Sequence, residues 1–125
     1  MTATNNDLID RLLQDSKTIA VVGLSDNPAR DSHRVSSYLQ SQGYRIIPVN
    51  PTIEEALGEK SYPDLTSVPG PIDLVDLFRR SELVPPVVYE AIGLGVKYIW
   101  MQDGVINSEA AAKAEAAGIP VVMND

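Results

Sequence analysis

Residues 20–32 read AVVGLSDNPARDS. An apolar run ends in one glycine, Gly23, and is followed by Ser25, Pro28, Arg30 and Ser32 before a helical pattern begins. A strand that ends in glycine and feeds a helix is where α/β proteins often hold phosphates. The backbone there comes close to the ligand, and the helix N-terminus offers N–H groups that have no intrahelical partner. The G-x-G-x-x-G pattern of dinucleotide domains is missing, and so is the G-x-x-x-x-G-K-[ST] loop of nucleotide hydrolases. The stretch therefore predicts an anion site made from one glycine, two serines and an arginine.

Working outward, KTIAVVG (17–23) is an Ile- and Val-rich run of strand length, as expected of a parallel strand buried on both faces. Before it, NDLIDRLLQDS (6–16) puts Leu8, Ile9, Leu12 and Leu13 on one helical face, with Asn5, Asn6 or Asp7 as N-cap. After it, residues 32–42 carry Val35, Tyr38 and Leu39 at helical spacing and stop at Gly43, a glycine C-cap. A second strand follows in YRIIPVNP (44–51), ended by Asn50 and Pro51. The next connection is expected to hold a short helix at 53–57 and a turn at 64–68. Then come a third strand in IDLVDLFRR (72–80), a helix at 86–94, a fourth strand in VKYIWMQDG (96–104), an alanine-rich helix at 108–117 and a fifth strand in IPVVM (119–123). No repeat, low-complexity tract or linker interrupts this order, so residues 1–125 are expected to form one domain.

Strands alternating with helices imply an α/β fold with a central parallel sheet and helices on both faces. Right-handed crossovers and the long connection after Asn50 give a strand order of 2-1-3-4-5 among the main strands. Its switch point lies between strands one and three, and ligands of open α/β sheets bind there, at the carboxyl ends of the strands. The segments expected to meet at that crevice are 23–32, 50–51, 78–81 and 102–106.

Composition narrows the ligand. The 125 residues are 44% hydrophobic and 22% charged, within the range of one globular domain. The net charge of −7 argues against nucleic acid and anionic membrane as partners. No apolar run approaches the roughly twenty residues of a membrane span, and the polar start MTATNNDLIDR shows no leader pattern, so a cytoplasmic protein is expected. With no cysteine and a single histidine, His33, neither thiolate chemistry nor a histidine-based metal site is expected. In this acidic chain Arg30, Arg34, Arg79 and Arg80 cluster in or just past the crevice segments, and guanidinium forks suit phosphate.

Gly23 is expected to let the backbone approach the ligand, and Ser32 to act chiefly as helix N-cap. Dinucleotide domains place an acidic residue at the end of the second strand for the ribose hydroxyls. This chain has Asn50-Pro51 instead, which removes a second marker of NAD.

The segments KTIAVVGLSDNPARDSHRV, GYRIIPVNP, IDLVDLFRR, YIWMQDGV and AGIPVVMND together resemble the small CoA-binding domain proteins related to the N-terminal domain of the succinyl-CoA synthetase alpha subunit. The resemblance runs along nearly the whole chain. It implies a Rossmann-like three-layer fold that binds coenzyme A, or an acyl-CoA, non-covalently in the crevice. By the same resemblance, Gly23, Leu24 and Ser25 with the stretch from Arg30 to Ser32 meet the CoA phosphates. Asn50, Pro51, Phe78 and Arg79 line the nucleotide and pantetheine path, and the QDG stretch, with Gln102 and Gly104, borders the far end. One departure is the short cysteine-containing tail that family members usually carry and that is not seen after Asp125; the last strand is present, so the fold is expected to survive.

The synthetase's chemistry is not implied, because it uses a phosphorylated histidine in a separate domain. Asp73 and Asp76 in the third strand form no separated acid and base, Tyr98 and Trp100 alternate as core residues, and no nucleophile, base and oxyanion donor come together. The expectation is a binding protein without catalysis, its protein partner open. The alternatives are an NAD(P)- or nucleotide-dependent enzyme and a ligand-free flavodoxin-like interaction domain.

Overall fold

The computed structural model describes residues 5–125. Residues 1–4, part of the stretch read for a leader pattern, lie outside them. Five parallel strands form one sheet: β1 (Thr18–Val22), β2 (Arg45–Val49), β5 (Leu74–Leu77), β6 (Tyr98–Met101) and β7 (Val121–Val122). Their order is β2-β1-β5-β6-β7, which is the 2-1-3-4-5 order of the main strands. Helices α1 (Asn5–Asp15), α2 (Asp31–Ser41), α3 (Val84–Leu94) and α4 (Ser108–Ala116) cover it, giving a Rossmann-like three-layer α/β fold. None of these helices is long and apolar enough to cross a membrane.

The two faces follow from the period of two along each strand. Ala20, Val22, Val75, Leu77, Ile99 and Met101 point into one core cluster with Val84, Val88 and Ala91 of α3 and Ala110, Ala111 and Ala114 of α4. Ile19, Val21 and Leu74 point the other way, with Leu12 of α1 and Leu39 of α2. Because both faces are covered, β1 is apolar at consecutive positions rather than alternate ones. Pro48 is tolerated inside β2 because β2 is the edge strand, where a missing N–H interrupts no second ladder.

The helix ends carry their signals. Asn107 caps α4, its side chain accepting from the Ala110 N–H at 3.0 Å. Prolines 85 and 86 sit in the first turn of α3, where an N–H is not needed. The strands are shorter than the apolar runs, since residues 78–80 and 102–104 leave the sheet to become loops at its carboxyl edge.

One element differs in kind. The helix expected at 53–57 is a hairpin, with β3 (Glu55–Ala56) antiparallel to β4 (Glu59–Lys60). Its two connecting residues, Leu57 and Gly58, both have positive φ (55° and 78°), the signature of a tight turn that matches strand twist. Two-residue strands hold no periodicity that could have separated them from a helical turn.

Candidate functional site

The carboxyl ends of β1, β5 and β6 enclose an open crevice of about 640 Å³. The loop after β1 contributes Gly23, Ser25, Ala29 and Arg30, and α2 adds Asp31 and Ser32 from its first turn. Phe78 and Arg79 follow β5, and Asp103, Gly104 and Val105 follow β6. This is the switch point between β1 and β5.

Side chains hold the first loop in shape. Ser32 is buried, and its Oγ accepts the Ser25 N–H at 3.0 Å; the Ser25 Oγ accepts the Asn27 N–H at 3.0 Å, and the Asn27 Oδ1 accepts the Ala29 N–H at 3.0 Å. Ser32 therefore does not cap α2, contrary to expectation. The cap position is Arg30, which makes no side-chain capping bond, and Ser32 lies one residue inside the helix. Both serine hydroxyls keep their own O–H as donors on the crevice wall. The first residues of α2, Asp31 and Ser32, line the same space, and a helix N-terminus is an anion site through its first N–H groups and its dipole.

Gly23 lines the crevice, and the fold gives it a further reason to be glycine. A Cβ at this position would collide with the main-chain carbonyl of Phe78, and its φ of +88° disfavours a side chain in any case. Its N–H donates to the Val49 carbonyl at 2.9 Å, while the Phe78 N–H donates to the Val22 carbonyl at 2.9 Å. The glycine lets two strand ends touch.

Of the four clustered arginines, Arg30 and Arg79 line the crevice. Arg34 instead pairs with Asp31 and donates to the Ala29 carbonyl at 2.8 Å, and exposed Arg80 lies 3.7 Å from Glu82. The positive patch is thus two guanidinium groups from two different loops, with Asp103 also on the crevice wall. Arg79 also borders a second cavity of about 300 Å³, walled by Val22, Val49, Leu65, Pro86 and Val87 with Asp64 and Glu90 at its side. Glu90 closes that cavity by accepting the N–H groups of Leu65 and Thr66, both at 3.1 Å.

Four expected residues do not line the crevice. Leu24 is fully buried, and its carbonyl accepts the Asn50 amide at 3.0 Å. Asn50 completes its bonding by accepting the Thr52 N–H at 2.9 Å, so it ties the loop after β2 to the loop after β1; Pro51 is exposed in the turn beyond. Gln102 points away from the crevice into the sheet, where its Nε2 donates to Asp76 Oδ1 at 2.5 Å. Asp31 and Asp103 lie in the Arg30–Ser32 and QDG stretches named above, while Ala29 and Val105, not singled out from the sequence, lie inside the segments expected to meet here. The only sequence signal for Ala29 and Val105 was their place in loops that follow strands.

Ser81 joins the other two loops, accepting the Ile106 N–H at 2.9 Å while its carbonyl accepts the Asn107 amide at 3.1 Å. Behind them Asp76 is wholly buried, and burial pushes its carboxyl up to about 7 against the lowering pull of the Gln102 hydrogen bond. Asp73, at the other end of the strand, accepts the N–H groups of Lys17 and Thr18 at 2.9 and 3.0 Å, with Lys97 3.5 Å away. Partial burial raises its carboxyl, but those donors and the lysine outweigh it and leave it lowered. Among the described residues no cluster of three or more His, Cys, Asp or Glu is placed to hold a metal.

Known proteins resemble this chain in sequence and fold. Residues 17–125 match the CoA binding domain family. The chain is 50% identical over 116 residues to the uncharacterised protein YneT of Bacillus subtilis, covering 93% of this chain and 86% of that protein. A solved structure of a hypothetical protein from Pyrococcus horikoshii, 43% identical, superposes with a TM-score of 0.92 over 98% of this chain and 85% of that one. The alpha subunit of the ADP-forming acetate–CoA ligase II of Pyrococcus furiosus is 34% identical over 80 residues, which cover 63% of this chain and 18% of that subunit. The chain thus corresponds to a small part of the ligase subunit. With its crevice at the switch point and a family match over nearly its whole length, this chain belongs to the CoA-binding domain family.

Proposed function

We propose that this protein binds coenzyme A, free or acylated, non-covalently in the 640 Å³ crevice and performs no chemistry on it. The observation that carries the reading is the convergence of Arg30 and Arg79, from the loops after β1 and β5, on one cavity that α2 enters by its N-terminus. Two guanidinium forks, two serine hydroxyls and a helix N-terminus match a pyrophosphate, whose oxygens are acceptors only. Membership of the CoA-binding domain family supports the same ligand. Each charge-assisted contact is worth about 1.5–3 kcal/mol, so a few of them suffice for a specific site.

The absence of an acidic residue at the end of β2 favours CoA over NAD, because Asn50 occupies that position and its amide is engaged with Leu24. Titration calorimetry with CoA, acetyl-CoA, dephospho-CoA and NAD tests the reading. CoA and acetyl-CoA are expected to bind alike, since the chain has no cysteine to hold a ligand thiol. Dephospho-CoA should bind more weakly by one or two charge-assisted contacts. NAD binding as tight as CoA would overturn the assignment.

A further inference from the structure

Asp76 is a carboxyl group wholly buried inside the sheet, and its Oδ2 has no hydrogen-bond partner. Its neighbours in register are Val21 on β1 and Trp100 on β6, neither of which can take up its charge. The one bond it receives comes from Gln102, the residue at which β6 turns into the crevice wall: Val105 N–H donates to the Gln102 carbonyl at 2.8 Å, and Asp103, Gly104 and Val105 line the crevice. On its own strand Asp76 lies two residues before Phe78, another wall residue, a rise of about 7 Å. A buried ionisable group is thus joined to two of the three walls of an anion site, by one hydrogen bond to the residue that leads into one wall and by two residues of strand to the other.

We propose that Asp76 is a proton acceptor coupled to this crevice: when a phosphate-bearing ligand fills it, Asp76 takes up a proton, so affinity falls as pH rises through neutrality. The proposal rests on the assignment of a CoA-type ligand to the crevice. Negative charge brought close to a carboxylate through an interior of low dielectric disfavours the ionised form. Burial has already raised this group toward neutrality, so it can respond at ordinary pH.

Other charges near this face do not supply the effect. On α1 they are Asp7, Asp10, Arg11 and Asp15, of which Asp15 accepts the Tyr98 hydroxyl at 2.6 Å and Arg11 lies over the Tyr98 ring. On α2 they are Asp31 and Arg34, paired with each other, and His33. β1 and β6 carry no charged residue within their strands, with Lys17 just before β1 and Asp103 just after β6. His33 stands at the start of α2, and its replacement serves as the control. The phosphates themselves act with the opposite sign, because contact with arginine lowers their pKa and releases protons.

Calorimetry of CoA binding at pH 7, in two buffers of different ionisation enthalpy, reads the proton directly, and affinities from pH 6 to 9 read the linkage. The wild type is expected to take up protons on binding and to lose about tenfold in affinity over that range, equivalent to a one-unit rise of the carboxyl on binding. Asp76→Asn should abolish the uptake and flatten the profile, while His33→Gln should keep both. Binding without uptake in the wild type, or uptake that persists in Asp76→Asn, would overturn the coupling alone. No CoA binding at any pH would overturn the ligand assignment and the coupling with it.

Discussion

The main-chain carbonyl of Phe78 fills the space in which a Cβ on Gly23 would stand: the carbonyl carbon would lie 3.0 Å from it and the oxygen nearer still. Two strand ends meet here, and both continue into walls of the crevice. Gly23→Ala must therefore move backbone and also adopt φ near +88°. A loss of about 2–5 kcal/mol is expected from strain and overpacking together. Gly43→Ala, also at positive φ but with nothing within 4 Å, should cost about 1–2 kcal/mol. Urea unfolding of the two variants checks the ordering, and equal losses would mean that the contact with Phe78 carries no weight.

Arg30 and Arg79 are expected to share the ligand's phosphates. Arg30→Ala and Arg79→Ala should each weaken CoA binding by about 1.5–3 kcal/mol, tenfold to a hundredfold, and should reduce its dependence on salt. Lys113, on α4 with its ammonium over the Tyr89 ring, serves as the control whose replacement by alanine leaves affinity unchanged. Calorimetry at two ionic strengths distinguishes them. The same loss at all three positions would mean that general charge, not the crevice, holds the ligand.

Ser32→Ala removes the acceptor of the Ser25 N–H and leaves that donor unpaired behind the crevice. It should cost about 1–3 kcal/mol in stability and weaken CoA binding as well, since the loop carrying Arg30 loses its anchor. Ser32→Thr keeps the hydroxyl and should restore most of both. A variant that binds CoA as tightly as the wild type would show that the loop is held by other contacts.

Asp76 predicts the direction of a pH effect on stability without any ligand. Its carboxyl is raised in the folded chain to about 7 from 3.8. Between those values the folded protein binds a proton that the unfolded chain has released, so stability falls as pH rises and levels off above about 7. The full cost, roughly three units, is about 4 kcal/mol. Asp76→Asn should remove this slope and be the more stable protein at pH 8. Unfolding free energies of both proteins at pH 5, 6.5 and 8 give the difference, and a difference that does not change with pH would refute the assignment.

The order β2-β1-β5-β6-β7 was legible in the chain, because strands buried on both faces must be apolar at consecutive positions and helices between them must be apolar on one side. The place of the crevice followed from that order and from right-handed crossovers. Of the four arginines expected around it, Arg30 and Arg79 line it.

The tertiary structure alone decided which polar residue at a strand end faces the ligand and which faces a neighbouring loop. Asn50 bonds to Leu24, Ser32 to Ser25, and Gln102 to one oxygen of Asp76, each across a distance in the chain that no local pattern reports. The hairpin at Glu55–Lys60 escaped for a related reason, since its pairing is set by a two-residue turn and not by periodicity. Backbone propensity and hydrophobic spacing are local properties and can be read along the chain. The partner of a hydrogen-bonding side chain, and the closeness of Phe78 to Gly23, exist once the strands lie side by side.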